Sequence, residues 1–433
     1  MEIQELHKIY SKHSVVSTDT RNIAPNSLFF ALRGENFDGN EFAAEALKQG
    51  SIFAIVDEPS VAEDDKCILV DDVLKTLQDL ATYHLQQKNV QVIAITGTNG
   101  KTTTKELLNA VLSKKFNVHA TKGNLNNHIG VPLTILSMKS AAELLVVELG
   151  ANHIGEIEKL CVIAQPSFGL ITNIGKAHLE GFGSLEGVVK AKKELYQYIA
   201  DHKGTLFVNG SDDRLLDLSK GARRILYGSA DSNDCVCKVE ECNPFVVVKW
   251  VRRENKVDKQ YEVASKIFGE YNFDNIAAAI CIGNSFGIAP QDITTAIEDY
   301  LPANNRSQIL ETDFNRIVLD AYNANPMNMK AALESFHQME SDNKVLIIGD
   351  MLELGSYTQE EHLAILEQVR KQQFDNVFLV GENFGRIKDS ISCTHFNTVQ
   401  QAKDYLVETP VRNSLILLKA SRGIGLESLV EAL

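Results

Sequence analysis

The 433-residue chain has no apolar run long enough to cross a bilayer. Its opening stretch, MEIQELHKIY, lacks the apolar core of a secretory signal. A cytoplasmic protein with no membrane span is therefore expected. Positive charge is scarce, with 43 Lys and Arg against 57 Asp and Glu and a net charge of -14. Nucleic-acid backbones are held by clustered cations, which argues against nucleic acid as a general partner; a small anion held by a few local donors remains open. The seven cysteines, Cys67, Cys161, Cys235, Cys237, Cys242, Cys281 and Cys393, are scattered and odd in number. They fit a reducing compartment better than a disulfide framework. Cys235, Cys237 and Cys242 are close neighbours, but no second pair at zinc spacing follows, so they read as ordinary thiols in a strand-rich stretch. The chain also lacks internal repeats and low-complexity segments.

What is present is an ordinary globular composition, 44% hydrophobic and 23% charged, over a length that suits two or three domains. Residues 1–88 carry short strands around SLFFAL and SIFAIV with an amphipathic helix at Glu41–Gln49 between them; the polar QQKN that follows reads as a linker. Residues 89–302 open with VQVIAIT, a buried-strand pattern, then a glycine-rich turn and a helix from about Thr102 to Lys114. Strands at LLVVE, FGLIT and TLFVN alternate with helices, which predicts a parallel sheet with right-handed crossovers. Strand-like runs such as FVVVKWV and an alanine-rich helix around Asn275–Ile282 close this block. Residues 303–433 carry RIVLD, KVLIIGD, NVFLVG and LILLK separated by helices, a Rossmann-like doubly wound pattern. Ligands gather at the C-terminal ends of such strands, which here carry Asp320, Asp350, Gly381 and Lys419. The fold expected is α/β in three domains: a small N-terminal α/β domain, a central parallel-sheet ATPase domain and a Rossmann-like C-terminal domain.

The strongest signal is VIAITGTNGKTTT. A buried strand runs into Gly97-Thr98-Asn99-Gly100-Lys101-Thr102-Thr103 and on into a helix. Glycines let backbone N–H groups close on phosphate oxygens, and the helix N-terminus adds partial positive charge. Lys101 is placed to neutralise the outer phosphates and the Thr102 hydroxyl to hold Mg²⁺. Ile95 stands where the longer Walker form has its first glycine, so this is the shorter GxxGKT loop. A glycine-rich turn that binds nothing has no need of strand, lysine, hydroxyl and helix in this order.

Asn255-Lys256-Val257-Asp258 matches NKxD, the guanine-reading signature of GTPases, and would suit a nucleotide-dependent switch. It sits inside RRENKVDKQ, which reads as a solvated turn between two strands, and the phosphate loop is not the GTPase form. We treat the match as chance.

In EGVVKAKKELYQYIA the apolar stripe is Val188, Val189, Ala191, Leu195, Tyr196 and Ile199. At about 100° per residue, Lys192 falls in its middle, Lys193 at its edge and Lys190 opposite. A buried ammonium without a partner is costly. Snorkelling is the ordinary explanation; a functional role is the other. Glu148 ends the strand LLVVE, and His178 follows FGLIT through NIGKAH. Both lie where a parallel sheet delivers side chains to the phosphate loop, a plausible Mg²⁺ environment.

Taken together, these segments resemble the Mur ligases, the family that adds amino acids to the nucleotide-linked peptide of bacterial cell-wall synthesis. The likeness covers essentially the whole chain. TDTRNIAPNSLFFALRGENFDGNEF resembles the family's uridine-nucleotide segment and implies Thr20, Arg21, Asn36 and Phe37 as substrate contacts. TKGNLNNHIGVPLTIL resembles the branch that extends a tripeptide and implies Asn126 and Asn127 along that substrate. The resemblance makes Glu148 and His178 magnesium ligands and Lys192 a carbamylated lysine, a carboxylate-like ligand for a second Mg²⁺. GEYNFDN resembles GxHNxxN, placing Asn272 and Asn275 near adenine, with Tyr271 replacing the usual histidine. LDAYNANPMNMKAAL resembles DxYNANPxSM and directs Asp320, Tyr322 and Asn323 to ATP. The resemblance also implies Lys419, Ser421 and Arg422, in LLKASRG, as substrate contacts and Arg306, in NNRSQ, as a candidate nucleotide contact.

The implied activity is ATP-dependent peptide-bond formation through an acyl phosphate, with two Mg²⁺ ions and Lys101, Lys192 and His178 in catalytic roles. The implied substrates are UDP-N-acetylmuramoyl-tripeptide and D-alanyl-D-alanine, and a monomer is expected. The DNPR signature of the branch that adds the third residue is missing. Folylpolyglutamate synthases share the phosphate loop but lack the uridine segment.

Overall fold

Short apolar runs bounded by turns become the strands of three sheets, the first parallel and the other two mostly so. The computed structural model describes residues 1–433 apart from Glu63, Asn255, Lys256 and Asp375. In the N-terminal part, Val16–Ser17, Leu28–Phe30, Phe53–Val56 and Cys67–Leu69 pair in that order, all parallel. The expected helix at Glu41–Gln49 is a 3₁₀ turn, Gly39–Phe42, running into an α-helix at Ala43–Lys48. The Asp38 carboxylate starts the turn by accepting from Asn40 N at 2.9 Å, using a donor that the turn leaves free.

The polar QQKN stretch is the exit of a helix, Val73–Gln86, that the sequence reading did not predict. Asp72 caps its start by accepting from Lys75 N at 2.8 Å. The helix packs against Gly130–Leu136 and Glu156–Ala164 of the next block. Its Leu77, Leu80 and Ala81 share one buried cluster with Leu28 and Ile55 before it and Val92, Ile135 and Leu160 after it. One core therefore runs through the boundary near residue 88.

The central sheet has nine strands. From one edge the order is Val257–Phe268, Phe245–Glu254, Cys235–Cys242, Arg224–Gly228, Thr205–Asn209, Phe168–Ile171, Gln91–Thr96, Leu144–Glu148 and Val118–Ala120. The two pairings nearest the first edge are antiparallel and the others parallel. Of the NKxD match, Val257 and Asp258 begin the hairpin strand Val257–Phe268, paired with Phe245–Glu254, while Asn255 and Lys256 lie outside the described residues. Strands covered on both faces need apolar side chains throughout, hence the uninterrupted VIAI and LLVV. Gln91–Thr96 comes first in the chain yet lies between Phe168–Ile171 and Leu144–Glu148, so successive connections leave it in opposite directions. Such a switch point opens a crevice at the strand's C-terminal end. The phosphate loop sits there.

The third sheet runs Gln308–Glu311, Asn315–Leu319, Ser414–Lys419, Lys344–Gly349, Asn376–Val380 and Thr394–Phe396; only the first pairing is antiparallel. Apolar clusters cover both of its faces. No helix among the described residues is long and apolar enough to cross a membrane.

Candidate functional site

Five of the six residues of Gln91–Thr96 are buried, and the chain then turns sharply at two glycines. Gly97 has φ +146°, and a Cβ there would stand 2.0 Å from Thr172 Oγ1; Gly100 has φ +79°, and its Cβ would stand 2.3 Å from Asn275 Oδ1. Neither position tolerates a side chain. The helix Lys101–Leu112 begins immediately. Thr98 Oγ1 holds the loop to Gly175, donating to its carbonyl at 3.2 Å and accepting from its N–H at 3.0 Å. Lys101 Nζ turns back onto the carbonyls of Gly97 at 2.7 Å and Thr98 at 3.1 Å. Burial pulls its pKa down; Glu148 opposes this and Arg306 adds to it.

Glu148 is 2% exposed. Its carboxylate accepts from Thr102 Oγ1 at 3.0 Å and Asn126 Nδ2 at 2.8 Å, and its own N–H donates to Thr121 Oγ1 at 3.0 Å. On the other wall, Asn275 accepts from Thr104 Oγ1 at 3.0 Å and donates to Asn272 Oδ1 at 2.8 Å. Asn272 in turn donates to Ser307 Oγ at 3.1 Å, which Tyr271 also reaches through its hydroxyl at 3.0 Å.

The C-terminal domain closes the same space. The Arg306 guanidinium lies 3.7 Å from the Tyr322 ring centroid, and Arg422 approaches that ring at 5.2 Å. Arg306, Tyr322, Asp320 and Asn323, but not Arg422, line a cavity of about 400 Å³ together with Thr98 to Thr103, Asn126, Glu148, His178, Asn272 and Asn275. The lining residues that the sequence reading did not single out include Ser307 and Asn328 at the junction, along with Asn173, Asp274, Met327 and Ala331.

Other expected site residues stand elsewhere or are engaged. Lys419 is 1% exposed, and its ammonium is bound to Asp320 Oδ2 at 2.6 Å beneath the cavity floor. Ser421 bridges two loops, donating to Ala324 O at 3.3 Å and accepting from Leu352 N at 3.0 Å. Asn127 caps a turn, its carboxamide oxygen accepting from Ile129 N and Gly130 N at 3.1 and 2.8 Å. Thr20, Arg21, Asn36 and Phe37 are on the N-terminal domain and do not line this cavity. Arg21 pairs with Asp19 at 2.6 Å, and the guanidinium holds that carboxyl down at about 2; Phe37 is 57% exposed.

His178 has φ +50°, and its ring pairs with the Glu353 carboxylate of the C-terminal domain. Lys192 lies in the helix Leu185–Asp201 and is 3% exposed, while Lys190 and Lys193 face solvent. Its ammonium lies 5.6 Å from the Phe182 ring centroid, and no carboxylate is within ion-pair distance among the described residues. Burial, reinforced by Lys101, brings its pKa to about 7. The snorkelling explanation is thus removed.

Three family models cover most of the chain: the Mur ligase family catalytic domain over residues 12–98, the Mur ligase middle domain over 95–283 and the Mur ligase glutamate ligase domain over 305–422. A UDP-N-acetylmuramoyl-tripeptide--D-alanyl-D-alanine ligase of Bacillus subtilis is 36% identical, over 96% of this chain and 92% of its own length. The ligase of the same name from Escherichia coli is 33% identical, over 96% and 93%. Among solved structures, MurF from Acinetobacter baumannii matches with a TM-score of 0.88 at 29% identity, over 99% of this chain and 97% of that one. MurF from Thermotoga maritima in complex with ADP matches at 0.84 and 26% identity, over 96% of each chain. A glycine loop at a sheet switch point, a buried carboxylate beside it and three domains matched from end to end have one reading: the chain belongs to the Mur ligase family of ATP-dependent, peptide-bond-forming ligases.

Proposed function

We propose that this protein joins D-alanyl-D-alanine to UDP-N-acetylmuramoyl-tripeptide, using ATP, in the synthesis of the peptidoglycan precursor. The observation that carries the reading is one cavity shared by the phosphate loop and the C-terminal domain, in a chain matched over 96% of its length by ligases of that name. Residues 1–88 then receive the uridine substrate, residues 89–302 carry the phosphate chemistry, and residues 303–433 close over the site with the incoming amine.

The terminal carboxylate of the tripeptide attacks the γ-phosphorus of ATP; an O–P bond forms and the bond to ADP breaks. The free amine of D-alanyl-D-alanine then attacks the acyl carbon, inorganic phosphate leaves, and the nitrogen loses a proton as the amide forms. Lys101 leaves the loop carbonyls to meet the outer phosphates, where its charge offsets what develops in transfer. Asn272, Asn275 and Arg306 hold the nucleotide base and sugar side, while Asp320, Tyr322 and Asn323 orient it from the C-terminal domain. Asn126 and Asn127 place the tripeptide; Ser421, Arg422 and Lys419 shape the amine side. Thr20, Arg21, Asn36 and Phe37 receive the uridine nucleotide.

The residues present fit divalent magnesium. Glu148 is a buried carboxylate held by two neutral donors and in no ion pair among the described residues, which leaves its charge available to a hard cation. Thr102 and Glu148 would hold one ion; His178, once free of Glu353, and Lys192 as its carbamate would hold a second. Such ions supply charge neutralisation at the transferring phosphoryl group. A lysine whose pKa is lowered to about 7 has a substantial neutral fraction near pH 7 and is chemically ready for carbamylation. The reading includes a monomer working in the cytoplasm.

A folylpolyglutamate synthase from Thermotoga maritima shares the fold, with a TM-score of 0.58 at 13% identity over 79% of this chain. Phosphate release with UDP-N-acetylmuramoyl-tripeptide tests the choice. D-alanyl-D-alanine should drive turnover far above single amino acids or glutamate; equal rates with glutamate would reject the proposal.

A further inference from the structure

Lys105 follows Lys101 on the phosphate-loop helix, yet it does not line the nucleotide cavity. It is 1% exposed. Its ammonium donates to Thr121 O at 2.6 Å and pairs with Glu106 Oε1 at 2.8 Å. Taking an ammonium out of water is costly, and an apolar side chain of similar length would pack a helix on a sheet without that cost. The charge is explained by what it holds.

Thr121 stands where the edge strand Val118–Ala120 ends and the TKGNLNN segment begins. It is buried, and its polar groups are engaged on three sides. Its N–H donates to Val146 O at 3.0 Å, its carbonyl accepts from Lys105, and its hydroxyl oxygen accepts from Glu148 N at 3.0 Å. Further along the same segment, Asn126 Nδ2 donates to Glu148 Oε1 at 2.8 Å, and Asn126 O accepts from Gly150 N at 2.8 Å. The segment thus grips Glu148 twice, at its main chain and at its carboxylate. Lys105 anchors the first residue of that grip to the helix whose Thr102 hydroxyl meets the other carboxylate oxygen at 3.0 Å. Groups that orient a metal ligand matter nearly as much as the ligand, and their loss costs about 10- to 100-fold in metal affinity.

We propose that Lys105 is a positioning residue: acting through Thr121, it fixes the Glu148 carboxylate in the orientation that receives magnesium. The consequence for magnesium rests on the ligand role given to Glu148 above. The chain of contacts from Lys105 through Thr121 to Glu148 is read without metal or nucleotide.

The test combines two measurements on the full chain. One is amide hydrogen exchange at Glu148, free of metal and nucleotide; the other is the free Mg²⁺ concentration giving half-maximal phosphate release at saturating ATP. K105M keeps the length of the side chain and drops its charge. Exchange at the Glu148 amide should rise about fivefold, the worth of one hydrogen bond. The Mg²⁺ requirement should rise about 10-fold or more, with turnover at saturating Mg²⁺ changed far less. K105Q, neutral and shorter, is a second variant at this position and should move both readouts the same way. T121V keeps the bond from Lys105 and loses only the hydroxyl; it should reproduce both shifts, and T121S should restore both. K105M combined with T121V should be no worse than T121V alone, because both changes break one chain. A lysine that merely ties helix to sheet would lower the thermal midpoint and leave both readouts untouched. Wild-type values in a folded Lys105 variant or in T121V overturn the proposal, as does additivity of the two changes. E148Q separates it from the magnesium reading. Faster exchange in K105M, with an E148Q enzyme whose Mg²⁺ requirement matches wild type, upholds the contact chain and rejects the magnesium role; unchanged exchange with a raised requirement in E148Q does the reverse.

Discussion

Thr102 Oγ1 donates to Glu148 Oε2 across 3.0 Å, joining the first turn of the phosphate-loop helix to the end of the neighbouring strand. The two residues are 46 positions apart and meet because Gln91–Thr96 and Leu144–Glu148 are parallel partners, with Ile95 opposite Glu148. Parallel pairing carries both strand ends to the same side of the sheet, so the hydroxyl and the carboxylate arrive as one oxygen corner. Glu148→Gln keeps the shape but removes the charge and replaces one of the two accepting oxygens, which receive Thr102 Oγ1 and Asn126 Nδ2, with a donor. Turnover should fall at least about 100-fold with an unchanged circular dichroism spectrum. A variant retaining most of its activity would dissociate this carboxylate from magnesium.

Lys101→Ala removes the one ammonium within the loop. Because that ammonium now contacts only loop carbonyls, its loss should leave the fold intact while lowering turnover by about 1,000-fold or more. Phosphate release and thermal unfolding, measured on the same sample, separate the two effects.

Lys192→Ala should also cripple phosphate release, for a different reason. The truncated site lacks the carboxylate that a carbamate would present, and a small added carboxylate should restore part of the activity. Absence of any loss on replacement would remove the carbamate from the account. Burial already lowers this amine to about 7, so carbamylation should demand bicarbonate rather than high pH.

A fourth prediction concerns stability away from the site. His84, in the helix Val73–Gln86, shares a hydrogen bond of 3.1 Å with His7, and burial lowers its pKa from 6.5 to about 4. His7 is lowered as well, first by burial. A histidine whose folded pKa lies below its unfolded value is kept neutral by the fold. Its contribution is complete above about 6.5 and is lost as pH falls toward about 4. The thermal midpoint should therefore drop between those values, and His84→Gln should flatten that part of the profile.

Much of the architecture was legible in the residues. LLVVE and TLFVN are strands over the residues expected, because a strand buried on both faces needs a continuous apolar run. The phosphate loop was legible for a related reason: its glycines answer a local backbone demand, visible as φ of +146° and +79°. Lys192 was legible as an anomaly, a cation on an apolar stripe, and the stripe is buried as its spacing required. The helix Val73–Gln86 was less legible, since its apolar positions serve two neighbouring sheets and its exit is the polar QQKN.

Local chemistry could not announce the pairings between distant segments. That His178 meets Glu353, that Lys419 lies beneath the cavity neutralising Asp320, and that Asn325 and Asn328 turn their amides to Asn99 follow from how the domains dock. Asn325 before Pro326 advertises a helix start, and that role is present; nothing in its neighbours along the chain tells where its second polar group will point. Periodicity and turn chemistry record what each segment asks of its own backbone and of solvent. Partners across domains are selected only when packing has placed them within hydrogen-bond reach.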